Sequence, residues 1–177
     1  QIRQALESGR RIDHITFSGS GEPTLNTLLG PLLREIKKLT PVPVAVLTNA
    51  AHLGLETVRR ALRSADVVVP SLDAATAAAF RRVNRPEPSI RIEDIIAGLE
   101  KFRKEFSGEI WLEIMLVKGA NDSPQDIAAL KRAVDRIRPD RVQLNTVVRP
   151  PAEAWAKPLG RRELERIRKE LGGKAEV

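Results

Sequence analysis

Extended apolar runs and amphipathic helical stretches alternate along this chain, and that alternation constrains the fold more than any other feature. Ile15 to Phe17, Val42 to Leu47, Val67 to Val69, Ile110 to Val117 and Val142 to Val148 are rich in β-branched residues and largely apolar on both faces. Such runs read as strands buried in a parallel sheet. Between them, Ile92, Ile95, Ile96, Leu99, Phe102 and Phe106 recur at helical spacing and stop before Gly108. Ile127, Leu130, Val134 and Ile137 do the same, opened by Ser123-Pro124 with Asp126 as capping-box partner and closed by Pro139. Leu164, Ile167 and Leu171 mark a last helix that ends at Gly172-Gly173. Leu32, Leu33, Ile36 and Leu39 also keep helical period, but Gly30-Pro31 is expected to break or restart that helix.

Strand–helix repetition predicts βαβ units with right-handed crossovers, hence an α/β fold with a parallel sheet and helices outside it. No linker, low-complexity tract or duplication interrupts the pattern, so residues 1–177 read as one domain of about five βα units plus a C-terminal helix. An open doubly wound sheet and a full or partial barrel both fit. In either, ligands collect at the C-terminal ends of the strands, and there this sequence turns polar.

The first strand runs into Ser18-Gly19-Ser20-Gly21-Glu22-Pro23-Thr24. Gly19 and Gly21 are expected to allow close backbone approach and positive φ, and Pro23 suits the first turn of a following helix. Glu22 sets a carboxylate at the mouth, suited to an ammonium group or a ribose. The segment is neither the Gly-x-Gly-x-x-Gly dinucleotide fingerprint nor a phosphate-binding P-loop. The second strand ends in Thr48-Asn49-Ala50 and the third in Ser71-Leu72-Asp73; the fourth carries Glu113 and Met115, and the fifth ends in Gln143-Leu144-Asn145-Thr146. A carboxylate inside an apolar strand, as at Glu113, is costly to bury without a partner. Five successive polar strand ends favour one shared site over five coincidences.

Composition narrows the chemistry. The chain has no cysteine, which excludes a disulfide framework, a Cys nucleophile, a Cys-rich zinc site and a thiolate-held iron–sulfur cluster within these residues. His14 and His52 read as surface or loop residues, too few for a zinc site. No apolar run approaches the roughly 20 residues of a membrane span, and no signal peptide is evident, so the expectation is a cytoplasmic protein with no membrane partner. The net charge of +7 is concentrated in residues 130–177, with thirteen basic and seven acidic side chains. Arg149, Arg161, Arg162, Arg166 and Arg168 there are candidates for a tRNA-binding face. Arg166, Arg168 and Lys169 nevertheless alternate with Glu163, Glu165 and Glu170 as on a solvated helix. Lys118 and Arg149 follow strands and are candidate substrate-side cations for an anionic group. Trp155, near Pro150-Pro151 and Pro158, is expected to pack the terminal segment onto the barrel, with a substrate-side lid as the alternative.

Ile15 to Leu25, Leu47-Thr48-Asn49 and Pro70 to Asp73 together resemble the catalytic domain of radical S-adenosylmethionine (SAM) enzymes. More narrowly, Phe80 to Pro86, Met115 to Gly119 with Asn121-Asp122, and Val142 to Thr146 through Arg149-Pro150-Pro151 resemble iron–sulfur oxidoreductases near the wyosine-type tRNA-modifying branch. The likeness runs from Ile12 to about Arg168. It implies a partial (β/α)6 barrel of parallel strands, here without its first strand, whose strand ends cradle SAM. Gly21, Glu22 and Pro23 match the Gly-Glu-Pro element that meets the SAM amino group, with Gly19 beside it as a further cofactor-binding position, and Thr48 and Asn49 match the next strand-end motif. Ser71 and Asp73 match the position that reaches the ribose or carboxylate. Glu113 and Met115 lie on the strand contributing to the adenosine region, and Leu144 and Asn145 match the adenine-side contact.

The family's [4Fe–4S] cluster rests on three cysteines, usually Cys-x3-Cys-x2-Cys, after the first barrel strand. With no cysteine here and Gln1 already within a helical stretch, the expectation is that the cluster-bearing segment precedes these residues in a longer protein. Intact, such an enzyme takes an electron from a donor such as a flavodoxin or ferredoxin and cleaves SAM. The 5′-deoxyadenosyl radical released then abstracts hydrogen from a substrate, with tRNA a candidate. Residues 1–177 alone are expected to be inactive. Two alternatives stand beside this reading: a cluster-free βα-barrel enzyme using Glu22 or Glu113 as general base, and a noncatalytic basic RNA-binding domain.

Overall fold

The computed structural model describes residues 2–177. Helix α1 (Ile2–Glu7) precedes strand β1 (Ile15–Phe17), and a single 3-10 turn (Pro23–Leu25) leads into α2 (Leu29–Leu39). There follow β2 (Val44–Thr48), α3 (Glu56–Leu62), β3 (Val67–Pro70), α4 (Ala77–Val83) and α5 (Ile92–Glu105). The chain continues through β4 (Glu109–Leu116), α6 (Pro124–Ile137), β5 (Arg141–Thr146), α7 (Arg161–Leu171) and β6 (Ala175–Glu176). All neighbouring strands are parallel and stand in sequence order from β1 to β6. That order decides between the two architectures the sequence leaves open. A doubly wound sheet reverses its winding at a switch point. Here each strand joins beside its predecessor, so crossovers of one hand lay the helices on one side of the sheet, as in a barrel wall.

The side-chain pattern shows the same division. Val44, Val46, Val68, Ile110, Leu112, Ile114, Leu116, Val142 and Leu144 point to the helical side and share one core with residues of α2, α5, α6 and α7. On the opposite, concave face, Ala45, Val67 and Val69 form a small separate cluster.

Several local expectations are corrected. Helix α2 runs unbroken through Gly30-Pro31, because Pro31 falls in the first turn, where its missing N–H has no intrahelical partner to lose. Strand β2 starts at Val44 rather than Val42, and β5 stops at Thr146, leaving Val148 86% exposed. Helices α3 and α4 are too short to show a helical period in sequence. The sixth strand, β6, follows the Gly172-Gly173 stop instead of leaving the terminal helix as the last element; it pairs Ala175 with Val142 and Glu176 with Gln143. Ser123 caps α6 as expected, accepting from the Asp126 N–H at 3.1 Å while donating its hydroxyl to the Asp126 carboxylate.

One close approach fixes the loop after β2. A β-carbon on Gly98 of α5 would stand 2.7 Å from the Gly54 nitrogen and 2.9 Å from the Leu53 carbonyl carbon. Arg59, buried on α3, donates to the Leu53 and Gly54 carbonyls at 2.9 and 2.8 Å and pairs with Glu105 of α5 at 3.1 Å. Backbone cannot yield as a flexible side chain can, so Gly98→Ala is expected to lower stability by about 1–3 kcal/mol. Urea unfolding measures this, and a midpoint unchanged from wild type would contradict it.

Candidate functional site

The polar strand ends form a band along one edge of the concave face, in three parts. At the first, the chain leaves β1 through Ser18–Gly21 and turns at Glu22, which caps the Pro23–Leu25 turn by accepting from the Thr24 N–H at 3.1 Å. The same oxygen, Oε1, accepts from the hydroxyls of Thr24 and Thr48 at 2.7 and 2.6 Å; Oε2 accepts from the Asn49 N–H at 2.7 Å. Glu22 therefore ties the glycine loop to the end of β2. Burial presses its carboxyl up, but hydrogen bonds from Thr48, Asn49 and Thr24 outweigh that and hold it below the ordinary glutamate range.

Neither Gly19 nor Gly21 has positive φ, which corrects the sequence reading. A β-carbon on Gly21 would meet nothing within 4 Å, and one on Gly19 only Gly21 backbone at 3.9 Å. The chain's own conformation does not demand these glycines, so the missing β-carbons leave room for a group from outside it. Thr48 is buried behind Glu22, whereas Asn49 is exposed and accepts from the Ala51 N–H at 3.0 Å. Ala50, between Asn49 and Ala51, has a left-handed backbone (φ 62°), costly for a residue with a β-carbon.

At the middle part, Asp73 is only 9% exposed. Its Oδ1 accepts from the Met115 N–H at 2.9 Å and its Oδ2 from the Asn84 side chain at 2.8 Å. The fully buried Asn121 donates to the Asp73 and Met115 carbonyls and accepts from the Val117 N–H. Asp73 thus joins the end of β3 to β4 and to the end of α4, with no carboxylate oxygen turned freely to the surface. Burial pushes its carboxyl above the ordinary aspartate range, the hydrogen bonds from Met115 and Asn84 oppose this, and the Glu113 charge adds to it. Ser71 pairs with Glu113 across the β3–β4 boundary, so it stands level with the third part.

There, Glu113 accepts from the Asn145 side chain at 2.6 Å, and both line a cleft of about 610 Å³ with Met115, Thr146, Arg149 and Trp155. Residues 147–156 arch over this cleft as a strap with pinned ends. Thr146 donates to the Leu116 carbonyl at 2.8 Å and accepts from the Leu159 N–H at 2.9 Å, while the Lys118 N–H donates to the Lys157 carbonyl at 2.9 Å. Arg85, itself left-handed (φ 47°), pairs with Glu153 at 2.7 Å, and the Arg82 guanidinium lies 5.4 Å from the Trp155 ring centroid. Trp155 therefore sits in the strap, 42% exposed, where it lines the cleft. Arg82, Arg85, Asn84 and Glu153 were not recognisable as site neighbours, since nothing local in sequence shows that the end of α4 meets a segment some seventy residues later.

Other candidates lie elsewhere. The Leu144 side chain is 3% exposed within the helical-side core, on the face opposite Asn145. Lys118 turns away to Glu163 of α7 at 3.2 Å. Arg166 and Arg168 pair with Glu170 and Glu165 at 2.9 and 2.8 Å, as on a solvated helix. His14 is exposed just before β1 and His52 half-buried in the loop after β2. Among the described residues, no group of three or more His, Cys, Asp or Glu is placed to hold a metal ion, and no helix is long and apolar enough to cross a membrane.

Residues 1–131 match the family described as the Radical SAM superfamily. The chain belongs to that superfamily. It is 41% identical over 169 residues to a protein of Brachyspira hyodysenteriae named "GTPase Obg", covering 96% of this chain and 25% of that one. A UPF0026 protein of Synechocystis sp. is 40% identical over 154 residues, covering 87% of this chain and 55% of its own length. A probable dual-specificity RNA methyltransferase RlmN 1 of Opitutus terrae is 29% identical over 131 residues, covering 68% and 36%. The chain thus spans between a quarter and about half of the curated relatives it matches first. Among solved structures, a domain of pyruvate-formate lyase-activating enzyme from Bacteroides vulgatus superposes with a TM-score of 0.72 at 16% identity, covering 92% of this chain and 96% of that one. Streptococcus suis SuiB bound to S-adenosylmethionine gives 0.69 at 20% identity, covering 95% and 37%. Both share the fold.

Glu22 and Asp73 make opposite predictions. The lowered carboxyl of Glu22 contributes stability present above the ordinary glutamate value and lost as pH falls through its own lower value. The raised carboxyl of Asp73 costs stability that grows as pH rises from the ordinary aspartate value through its own higher one. Urea unfolding across pH should show Glu22→Gln flattening the acid-side loss and Asp73→Asn removing the decline with rising pH. Asp73→Ala, which leaves the Met115 N–H without its acceptor, should cost about 1–3 kcal/mol. Identical pH profiles in wild type and both neutralised variants would contradict this account.

Proposed function

We propose that this chain forms the SAM-holding wall of a radical SAM enzyme. The observation that carries the reading is the glycine loop: Gly19 and Gly21 leave open space beside a carboxylate clamped to the next strand. The loop's backbone carbonyls and the second lone pair of Glu22 Oε2, which accepts one bond, from the Asn49 N–H, suit an ammonium group. Asn49 and Ser71 continue the polar line toward the cleft, where Glu113, Asn145 and Met115 suit an adenosine. Arg149 at the rim offers a cation to an anionic substrate group. Together these groups bind and orient, and the strap walls one side of the cleft. When bound in an enzyme of this superfamily, SAM supplies a 5′-deoxyadenosyl radical.

The chain has no cysteine, so no residue in it fits a [4Fe–4S] cluster. The cluster ligands, and the docking of a flavodoxin- or ferredoxin-like electron donor, are proposed to belong to parts of the protein outside residues 1–177. Support comes from relatives whose own length is two to four times the matched stretch. The same similarity, with a named RNA methyltransferase among the relatives, favours RNA as the substrate class. A cluster-free enzyme using Glu22 as base is less well supported, because that carboxyl is held ionised and both its oxygens already accept hydrogen bonds.

The test uses the intact protein after anaerobic cluster reconstitution, with SAM and a reductant. 5′-Deoxyadenosine should form, and Glu22→Ala should reduce it by about tenfold or more, the scale of one lost charge-assisted contact. An intact, reconstituted protein that releases none would sink the proposal.

A further inference from the structure

Among the described residues no helix packs on the apolar cluster of the concave face, yet Ala45, Val67 and Val69 in it are buried. Among the described residues, the partly buried hydrophobics packed against them are Leu47 and Trp111. Strand register arranges this face in layers. Thr16, Ala45, Val67 and Glu109 lie level with one another. In the next layer, Leu47 faces Val69 and Trp111 faces Arg141; Val69 reaches Trp111 because Val67 pairs with Glu109 and Ser71 with Glu113. One layer higher stand Ser71, Glu113 and Gln143. Trp111 is therefore two residues, about 6.6 Å along the strand, beneath Glu113 on the same face.

The indole is held from several sides. Its Nε1 donates to Glu109 at 2.6 Å, the Arg141 guanidinium lies 4.6 Å from a ring centroid, and the His14 ring meets it edge-on at 5.6 Å and 72°. It also packs against the apolar strip of β2 and β3. A leucine would bury that strip as well. The indole adds a rigid plate, locked in place, across the middle of an otherwise open sheet.

From this layering we propose that Trp111 is the floor of the strand-end site, a positioning residue that sets how deeply a ligand sits and keeps water from beneath Glu113. A dry floor also strengthens the electrostatic pull of the carboxylates above it. The inference rests on the reading of the strand ends as a SAM site.

The probe is S-adenosylhomocysteine, bound to the intact, cluster-reconstituted protein and measured by equilibrium dialysis. Trp111→Ala should weaken it about tenfold and Trp111→Phe about threefold or less, as for truncation against conservative replacement of a buried aromatic anchor. In the Trp155→Phe background, which silences the tryptophan lining the cleft, a ligand-dependent change in tryptophan emission should persist and should shrink when Trp111→Phe is added, a readout that a purely structural plug would not give. Wild-type affinity in Trp111→Ala, or an emission change in Trp155→Phe that adding Trp111→Phe leaves untouched, overturns the floor while leaving the SAM site standing. Wild-type protein that binds no S-adenosylhomocysteine overturns the SAM site and the floor with it.

Discussion

A parallel sheet is stable only when both of its faces are kept from water, and in this chain the helices cover only one. Strands added in sequence order, each by the same hand of crossover, send α2, α5, α6 and α7 to a single side. Everything distinctive about the molecule follows from the other side. Its lower half is closed by Trp111 on Ala45, Val67 and Val69. Its upper half, at the C-terminal strand ends, is left polar and open, and there the glycine loop, the carboxylates and the cleft gather.

Within that upper half, hydrogen bonds do what a second helical layer would do elsewhere. Glu22 joins the loop after β1 to the end of β2, and Asp73 joins the end of β3 to β4. The two carboxylates hold opposite charge preferences because their surroundings differ. Glu22 collects four donors at a half-buried turn, whereas Asp73 lies almost wholly out of water with two donors and the Glu113 charge nearby. The left-handed backbones at Ala50 and Arg85 flank these same joints.

Membership of the radical SAM superfamily gives this architecture its chemical meaning. The protein's share of such chemistry is binding and orientation, since the reactive species belongs to the cofactor. In the reading proposed above the strand ends serve the first task; the chain has no thiolate for iron, and the matched relatives are longer than the stretch they share with it. A strap anchored at Thr146 and Leu159 and paired to α4 through Arg85 and Glu153 adds a wall to the cleft.

The order of strands and long helices, and the position of the polar strand ends, were legible in the sequence because each is a local pattern: a β-branched run, a helical period, a glycine turn. The short helices α3 and α4 and the two-residue β6 were not, since such segments carry too few residues to show a period. Pro31 misled for a related reason, because its effect depends on where in the helix it falls. Side-chain direction divided the site residues more finely than motif position does. Asn145 and Leu144 are adjacent in sequence, but alternation along a strand puts the first in the cleft and the second in the core. Sequence by itself thus determined the βα alternation, the glycine–glutamate turn and the absence of cysteine. Only the tertiary structure decided which face stays open, that Glu22 is clamped by β2, that Trp111 closes the concave floor, and that α4 meets the strap. Each of those depends on contacts between residues far apart in the chain, which no local pattern encodes.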